Sequence, residues 1–409
     1  MVLRHPDLRR YLSARFIVGM ATQVQTVAVG WQVFSVSGDP LDLGLVALSQ
    51  FLPFILLILP AGHVADHYDR RRVQLATYII LAACAASLLG LAVAGVKDLA
   101  PVFGVMVLFG IARAFNHPTG QALLPNLAPP GTFPQAMALN SSLGQVATIA
   151  GPALGGALVV LGIGVAYALS LGLLVIGAAL VVNLQGGGRS DAPREPVTLT
   201  ALLSGITFVR SRPIVLGSIS LDLFAVLFGG ATALLPIYAG EILDVGPAGL
   251  GVMHAAPAVG AAILAAALTV RPLRGHVGPW MFGGVAAFGL ATIVFGVSTS
   301  FALSLAALVV MGAGDMVSVY IRHMLVQLET PDAIRGRVSA VNSVFIGASN
   351  ELGEFESGVT AAWWGIVPAV VIGGGATIVV SLLWTRLFPG LWRLDRFPTA
   401  PPADQEGRV

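Results

Sequence analysis

Four acidic residues stand out because each lies in a stretch that is otherwise apolar. Glu351, Glu354 and Glu356 fall within NELGEFESGV (350–359), and the fourth is Asp222, although only 10% of the 409 residues are charged. A carboxyl group in apolar surroundings can stay neutral, and it can exchange a proton when water reaches it. These residues are therefore candidate proton carriers, ranked Glu354, Asp222, then Glu351 and Glu356. The alternative is that each is a structural acid bonded to a neighbouring helix.

Helical spacing supports Glu354 as the first candidate proton carrier. It lies on a stripe of small and polar residues that lines a cavity or packs against another helix. The members of this stripe are Ser343, Gly347, Asn350, Glu354, Ser357 and Ala361. Asp315 and Arg322, seven residues apart, share a helix face about 10 Å apart and are expected to be structural charge partners.

Arg113 is the costliest residue of the first half, because an arginine at mid-helix carries an insertion penalty of about 2.5 to 3.5 kcal/mol. No acid lies deep within the first six apolar runs. We therefore expect Arg113 to face water, an acid of the second half or an anionic part of a substrate, the alternative being bonds to backbone carbonyls. Neutral candidates for the same substrate cavity are Thr22, Gln25, Thr26 and Asn350.

Other kinds of chemistry find no support in the sequence. The histidines lack metal-ligand spacing, no Walker-type glycine loop is present, and no nucleophile has a base at recognisable spacing. The single cysteine, Cys84, rules out an intramolecular disulfide. We expect no enzymatic activity, no cofactor, no metal and no nucleic-acid partner.

The elements that must position these residues are apolar helices. The chain is 56% hydrophobic with 49 glycines, and continuous runs of about 20 apolar residues are typical of helices that cross a membrane. The fold class is therefore an all-α membrane protein with twelve transmembrane helices in two pseudo-symmetric six-helix bundles. The runs are 12–36, 43–65, 73–96, 101–124, 134–161, 163–184, 213–239, 246–270, 278–298, 301–326, 338–362 and 366–388.

The basic residues predict the orientation of these helices. All but three of the 22 lie before or at the start of run one, after an even-numbered run, or at the end of run twelve and in the tail; the exceptions are Lys97, Arg113 and Arg322. By the positive-inside rule, both termini are expected in the cytoplasm, with the chain in a bacterial-type inner membrane. The predicted organisation is a bundle at 1–184, a cytoplasmic linker with an amphipathic helix at 185–212, a bundle at 213–388 and a cytoplasmic tail at 389–409.

An internal repeat relates the two predicted bundles. Shifting the chain by 202 positions aligns the segment around Gly151 with that around Gly353, and six identities fall in register, among them Asn140 with Asn342. The fifth and eleventh runs are therefore expected to be equivalent elements.

Over its full length the chain resembles the major facilitator superfamily. The residues that carry this resemblance are Gly62, Asp66 and the arginines 70–72 after run two, the sequence AGPALGG (150–156) in run five, and the mid-helix Arg113. Together they resemble the branch of drug:proton antiporters that includes macrolide-efflux and enterobactin-exporter proteins. His67 and Asp69 depart from the family loop.

The resemblance implies roles for two groups of residues. The loop would form a conformational latch, with Gly62, Asp66, Arg70 and Arg71. The small residues of run five would pack helices closely and bend the run; they are Gly151, Pro152, Gly155 and Gly156. The family further implies a monomer.

Together these observations predict a transporter in a lipid bilayer. It would export a small amphiphilic or partly anionic molecule, drug-like or siderophore-like, through a central cavity by alternating access, in exchange for protons. One alternative is a proton-independent facilitator or importer of a small solute. The other is a receptor or scaffold of the same fold that does not transport.

Overall fold

The structure is a computed structural model that describes residues 4–95, 97–129, 131–186 and 199–398. Within these ranges the side chains at positions 59, 66, 199–204, 332, 333, 335–337 and 340 lie outside the description. The described chain is helical and contains no β-strand.

Fifteen α-helices make up the described chain, and a 3₁₀ turn at Ala231–Leu234 and a π turn at Tyr238–Ile242 flank the ninth. The helices are α1 (Pro6–Ser37), α2 (Pro40–His67), α3 (Arg70–Val93), α4 (Ala100–Leu127), α5 (Phe133–Leu161), α6 (Ile163–Val182), α7 (Leu199–Ser211), α8 (Pro213–Phe228), α9 (Leu235–Ile237), α10 (Gly246–Val270), α11 (Val277–Val297), α12 (Phe301–Glu329), α13 (Asp332–Trp364), α14 (Ile366–Leu387) and α15 (Pro389–Trp392).

In the described part of the chain, ten segments are long and apolar enough to cross a membrane. They are α2 to α6, the segment 213–242, α10, α11, α12 and α14. Helices α1 and α13, at 32 and 33 residues, are also long enough but more polar. The count of twelve crossings in two bundles stays a prediction.

Local chemistry determines where several helices begin. Asp39 caps α2, its side chain accepting from the Leu41 N–H, and Pro40 occupies the first helical position. The Asp69 carboxylate likewise accepts from the N–H groups of Arg71 and Arg72 at 3.0 and 3.2 Å, so α3 begins at Arg70. Side-chain acceptors at these positions satisfy N–H groups that have no partner inside the helix.

The first compact unit consists of helices α1 to α6 together with residues 232–258. Helix α1 packs against α5 and α6, while α2 packs against α4. Glycines allow the close contacts of α5: a β-carbon at Gly151 would lie 2.5 Å from Cβ of Gln23, and one at Gly155 would lie 3.0 Å from Cα of Val24. A β-carbon at Gly156 would lie 2.8 Å from Cα of Gly251 in α10.

The second compact unit contains α7, α8, the end of α10 and α11 to α15. Its core is formed by buried side chains of α8, α11, α12 and α14. Helix α11 meets both neighbours at glycines. A β-carbon at Gly284 would lie 2.8 Å from the carbonyl oxygen of Gly314 in α12, and one at Gly289 would lie 2.8 Å from that of Gly374 in α14.

The predicted run 213–239 is not one continuous helix. Helix α8 ends at Phe228, and Gly229 and Gly230 separate it from the 3₁₀ turn. A β-carbon at Gly230 would lie 2.5 Å from the carbonyl carbon of Gly353, and one at Gly353 would lie 2.7 Å from the carbonyl oxygen of Val226. The helix therefore breaks where its backbone crosses α13 at van der Waals distance.

Candidate functional site

A buried ion pair lies in the second unit between Asp222 of α8 and Arg322 of α12. Arg322 Nη1 donates to Asp222 Oδ2, and Ser318 Oγ donates to Asp222 Oδ1 at 3.4 Å. The two charged side chains are 4% and 2% exposed. Buried apolar residues of the unit's core, among them Leu221 and Ile321, lie beside the pair. The low dielectric of such a core strengthens the attraction between the charges.

The expected pairing of Asp315 with Arg322 is therefore corrected, because Arg322 forms its ion pair with Asp222. Asp315 still belongs to the same group, since it interacts electrostatically with both Asp222 and Arg322. The Nε atom of Arg322 is buried and has no hydrogen-bond partner among the described residues. His323 also lies within the field of the pair. We call Asp222, Asp315 and Arg322 the charged cluster.

The acids of α13 lie at the crossing of this helix with α8. Glu351, Glu354 and Glu356 are all half-buried. Glu354 directly follows Gly353, the residue that meets the end of α8. The small-residue stripe passes from exposed Ser343 to buried residues at the crossing, where Ser357 is 6% exposed. The three acids thus belong to one segment of α13.

Arg113 lies half-buried in the first unit, where two residues of α2 contact its guanidinium group. Its Nη1 donates to Gln50 Oε1 at 3.3 Å, and its guanidinium carbon lies 5.7 Å from the centre of the Phe54 ring. A cation above an aromatic face is attracted to the ring. An amide oxygen and an aromatic ring therefore orient the guanidinium.

The neutral residues predicted for the cavity differ in accessibility. Thr26 and Asn350 are exposed and Thr22 is half-buried. Each also donates to a carbonyl of its own helix, at 2.9 to 3.0 Å. Gln25 is only 1% exposed, and its amide has no hydrogen-bond partner within the described ranges. Gln25 does not line an open cavity in this structure, because α1 is packed on several sides.

The predicted latch residues are only partly described. Gly62 is buried, and the Asp66 side chain lies outside the described residues. Arg70 is 3% exposed, and its Nε donates to the Ala65 carbonyl at 3.0 Å. Arg71 reaches the end of α6, where Nη2 donates to the Val182 carbonyl at 2.9 Å. Both arginines thus fasten the loop to its own unit, and the latch role stays a prediction.

Sequence reasoning missed several residues that shape these sites. Gln50 and Phe54 lie one turn apart in an apolar run, and their contact with Arg113 leaves no signal at a fixed spacing. Ser318 lies one turn from Arg322, which would have placed it on the same face. Asp69, first interpreted as a departure from the family loop, is the cap of α3.

Long apolar helices that carry charged residues define a multi-pass membrane protein. Among solved structures, a POT family transporter matches with a TM-score of 0.75 at 12% identity, covering 94% of this chain and 96% of that one. The nucleoside transporter NupG matches with a TM-score of 0.73 at 15% identity, covering 93% and 100%. These likenesses show that the chain shares the fold of those proteins.

The family follows from the sequence match. A family model described as transmembrane secretion effector matches residues 2–398, and the chain belongs to this family. The chain is similar to the enterobactin exporter EntS of Citrobacter koseri, with 27% identity over 411 residues that cover 97% of this chain and 95% of the relative. EntS of Escherichia coli is 26% identical over 409 residues, with the same coverage. The resemblance to the major facilitator superfamily and its enterobactin-exporter branch is confirmed.

Proposed function

We propose that this protein exports a small, partly anionic, siderophore-like organic molecule across the inner membrane in exchange for protons. The observation that carries the proposal is the match along nearly the whole chain to proteins named enterobactin exporters, within a family described by secretion. The export direction rests on those relatives. The charged residues inside the helices supply the chemistry.

The proposal includes the predicted topology. Helices α1 and α13 would join the ten apolar segments to give twelve crossings, in bundles at 1–184 and 213–388 with both termini in the cytoplasm. Transport would proceed by alternating access, and a monomer would suffice. The placement of arginines on one predicted side of the membrane supports this orientation.

Proton exchange is proposed first at the charged cluster. One arginine and two ionised aspartates carry a net charge of −1, so binding one proton makes the cluster neutral. A buried site strongly favours neutrality, because an uncompensated charge in low dielectric is costly. Protonation of Asp222 would release Arg322, whose Nε is buried without a partner among the described residues, and Asp315 offers an alternative acceptor. The proton thus changes which acid holds the arginine.

Glu354 is the second proposed carrier. It is half-buried beside the backbone crossing of Gly353 with α8, so a change in its charge would act where two helices meet without intervening side chains. Glu351 and Glu356 share this segment and rank below it. On the substrate side, Arg113 would bind an anionic group, and Thr22, Thr26 and Asn350 would add hydrogen bonds.

Transport measurements on reconstituted vesicles test the proposal. The purified protein is inserted into liposomes, iron-free enterobactin is added, and its uptake is measured with and without an imposed pH gradient in either direction. We expect accumulation that follows the gradient and proton movement when substrate is added. Uptake by wild-type protein that ignores the pH gradient would favour the facilitator, and absence of any uptake would contradict enterobactin as substrate.

Conservative variants then locate the proton carrier. Asp222→Asn and Glu354→Gln remove one charge each. The matched control Asp98→Asn changes an exposed acid before α4 and keeps the oxygen that accepts from the Ala100 N–H. Loss of proton movement in one variant, with substrate binding retained, identifies that residue. Normal proton movement in both variants would exclude both residues as essential carriers.

A further inference from the structure

Asp315 differs from the other acid of the charged cluster in its contacts. It lies on the same face of α12 as Ser318 and Arg322, three and seven residues before them. Its carboxyl group interacts electrostatically with Asp222 and Arg322. Among the residues that the structure describes, it takes part in no hydrogen bond and no ion pair. The cluster therefore contains one acid that is paired and one that is not.

The paired acid is held as an anion and closed off from its surroundings. Asp222 accepts hydrogen bonds from Arg322 Nη1 and Ser318 Oγ. A guanidinium group and a hydroxyl group both stabilise a carboxylate by donating to it. The Asp222 side chain is 4% exposed, whereas Asp315 is half-buried. Asp315 is therefore the more accessible of the two acids.

Charge balance favours a proton on the unpaired acid. The cluster holds one arginine, which stays protonated in proteins, and two aspartates. While Arg322 is paired with Asp222, an ionised Asp315 would be an uncompensated charge that accepts no hydrogen bond from the described residues. Such a charge is costly away from water. A proton on Asp315 removes this cost and leaves the ion pair intact.

The neighbouring helices bring few other ionisable groups to Asp315. Neither α11, which packs along α12, nor residues 259–270 of α10 contain one, and Asp222 is the only one of α8. On α12 itself, His323 is exposed and lies in the field of the ion pair. The acids of α13 are not among the groups that act on Asp315. The ion pair therefore determines the field at Asp315.

The two acids lie at different depths. At about 1.5 Å per residue, Asp222 lies about 14 Å from the start of α8, and Arg322 lies about 10 Å from the end of α12. Asp315 lies about 21 Å from that same end. In the proposed orientation both helix ends face the cytoplasm, so Asp315 is the outer acid. Side chains lean toward the start of their helix, which directs Arg322 toward the level of Asp315.

We propose that Asp315 carries the exchangeable proton of the charged cluster, and that Arg322 moves from Asp222 to Asp315 when this proton is lost. Once Asp315 has given its proton to water, its carboxylate is a second anionic partner for the guanidinium group. Transfer of Arg322, which stays protonated, leaves Asp222 unpaired, and Asp222 then takes up the next proton. This inference rests on the proposed proton exchange and deepens it by naming the residue that exchanges the proton.

Infrared spectroscopy identifies the acid that carries the proton. A protonated carboxyl group has a C=O stretching band apart from those of a carboxylate, and the change from aspartate to glutamate shifts it. With the full chain in lipid nanodiscs, we expect Asp315→Glu to shift a band that disappears as the pH is raised. Asp222→Glu should leave this band in place, as should the matched control Asp98→Glu at an exposed acid before α4. A band that shifts with Asp222→Glu instead, or with neither substitution, would overturn the proposal.

Unfolding of the asparagine variants gives a second measurement. Asp315→Asn replaces a neutral carboxyl group by an amide of the same shape, so it should unfold at nearly the same fraction of sodium dodecyl sulfate as the wild type. Asp222→Asn removes the charged partner of Arg322 and should unfold at a lower fraction. An Asp315→Asn variant that is less stable than Asp222→Asn would show that Asp315 is ionised, which contradicts the proposal.

Transport by the same variants connects the proton to exchange. Asp315→Asn leaves one aspartate for one arginine, and this pair is neutral without a proton. Uptake by Asp315→Asn in vesicles should therefore no longer follow the pH gradient, while Asp315→Glu should restore the dependence. Uptake by Asp315→Asn that follows the gradient as in the wild type would exclude Asp315 as the exchanging group.

The outcomes separate this inference from the proposed function. If the band ignores Asp315→Glu while wild-type vesicles still exchange protons for substrate, the assignment to Asp315 fails and the function stands. If the band shifts with Asp315→Glu but wild-type vesicles move no protons, proton-coupled export fails, and the exchange role of Asp315 fails with it.

Discussion

Removal of Arg322 gives the sharpest test of the charged cluster. Both members of the ion pair are almost fully buried, and breaking a buried pair from one side costs about 3–5 kcal/mol because the remaining charge is uncompensated. Arg322→Gln leaves two acids, Asp222 and Asp315, in the same apolar surroundings. We therefore expect this variant to lower the free energy of unfolding by about 3–5 kcal/mol.

Removing the acid of the ion pair should lower the free energy of unfolding by less than removing the arginine. In Asp222→Asn, Arg322 retains Asp315 as a charged neighbour, so the loss should be nearer that of one hydrogen bond to a charged group, about 1.5–3 kcal/mol. The double variant removes both charges of the pair and should be less unstable than the sum of the singles, by a coupling energy of about 1–3 kcal/mol.

Equilibrium unfolding of the purified protein measures these quantities. Helix content is followed by circular dichroism as sodium dodecyl sulfate is titrated into dodecylmaltoside micelles, for wild type, both single variants and the double variant. Arg271→Gln, which changes an exposed arginine after α10, serves as the control. If the effects of the two singles add to within about 0.5 kcal/mol, the two residues do not interact and the cluster is refuted.

Three further predictions concern packing, capping and topology. Gly156→Ala should destabilise the protein by about 1–3 kcal/mol, because the new β-carbon overlaps the backbone of α10, whereas Gly104→Ala, in open space on α4, should be neutral or stabilising in the same unfolding titration. Asp69→Ala should cost about 0.5–2 kcal/mol through loss of the α3 cap, and Asp69→Asn should unfold like wild type. Lys97→Cys in a Cys84→Ala background should react with a membrane-impermeant maleimide on intact spheroplasts. In the wild-type protein Cys84 is buried and should stay unlabelled until detergent unfolds the chain. Absence of labelling at position 97 would contradict the proposed orientation.

The sequence predicted the helices well because their cause is local. Apolar runs and their flanking polar residues identified ten spans to within a few residues, and α7 lies within the segment 185–212, where a helix was expected. Helices α2 and α3 begin before the apolar runs that predicted them, because Asp39 and Asp69 cap their first turns. Capping residues are polar, so a search for apolar runs does not include them. The break after Phe228 was missed, although the pair Gly229-Gly230 was a visible signal for it.

The sites could be predicted only as lists of residues. Periodicity reports which side chains share a face of one helix, and it indicated the stripe around Glu354. It does not report which helices pack together. Asp222 and Arg322 are 100 positions apart, and Gln50 lies 63 positions from Arg113. The sequence therefore identified the charged residues inside helices. Their partners became known only from the packing of α8 against α12 and of α2 against α4.

The glycine contacts of α11 have a mechanical consequence. Where Gly284 meets Gly314 and Gly289 meets Gly374, backbone touches backbone on two sides of one helix. At these points the backbones meet directly, so few side-chain rearrangements are available there to accommodate sliding of one helix along another. We therefore expect α11, α12 and α14 to move as one rigid group in any conformational change. Any rearrangement within this unit is then expected at α8 and α13, which carry Asp222 and the three glutamates 351, 354 and 356.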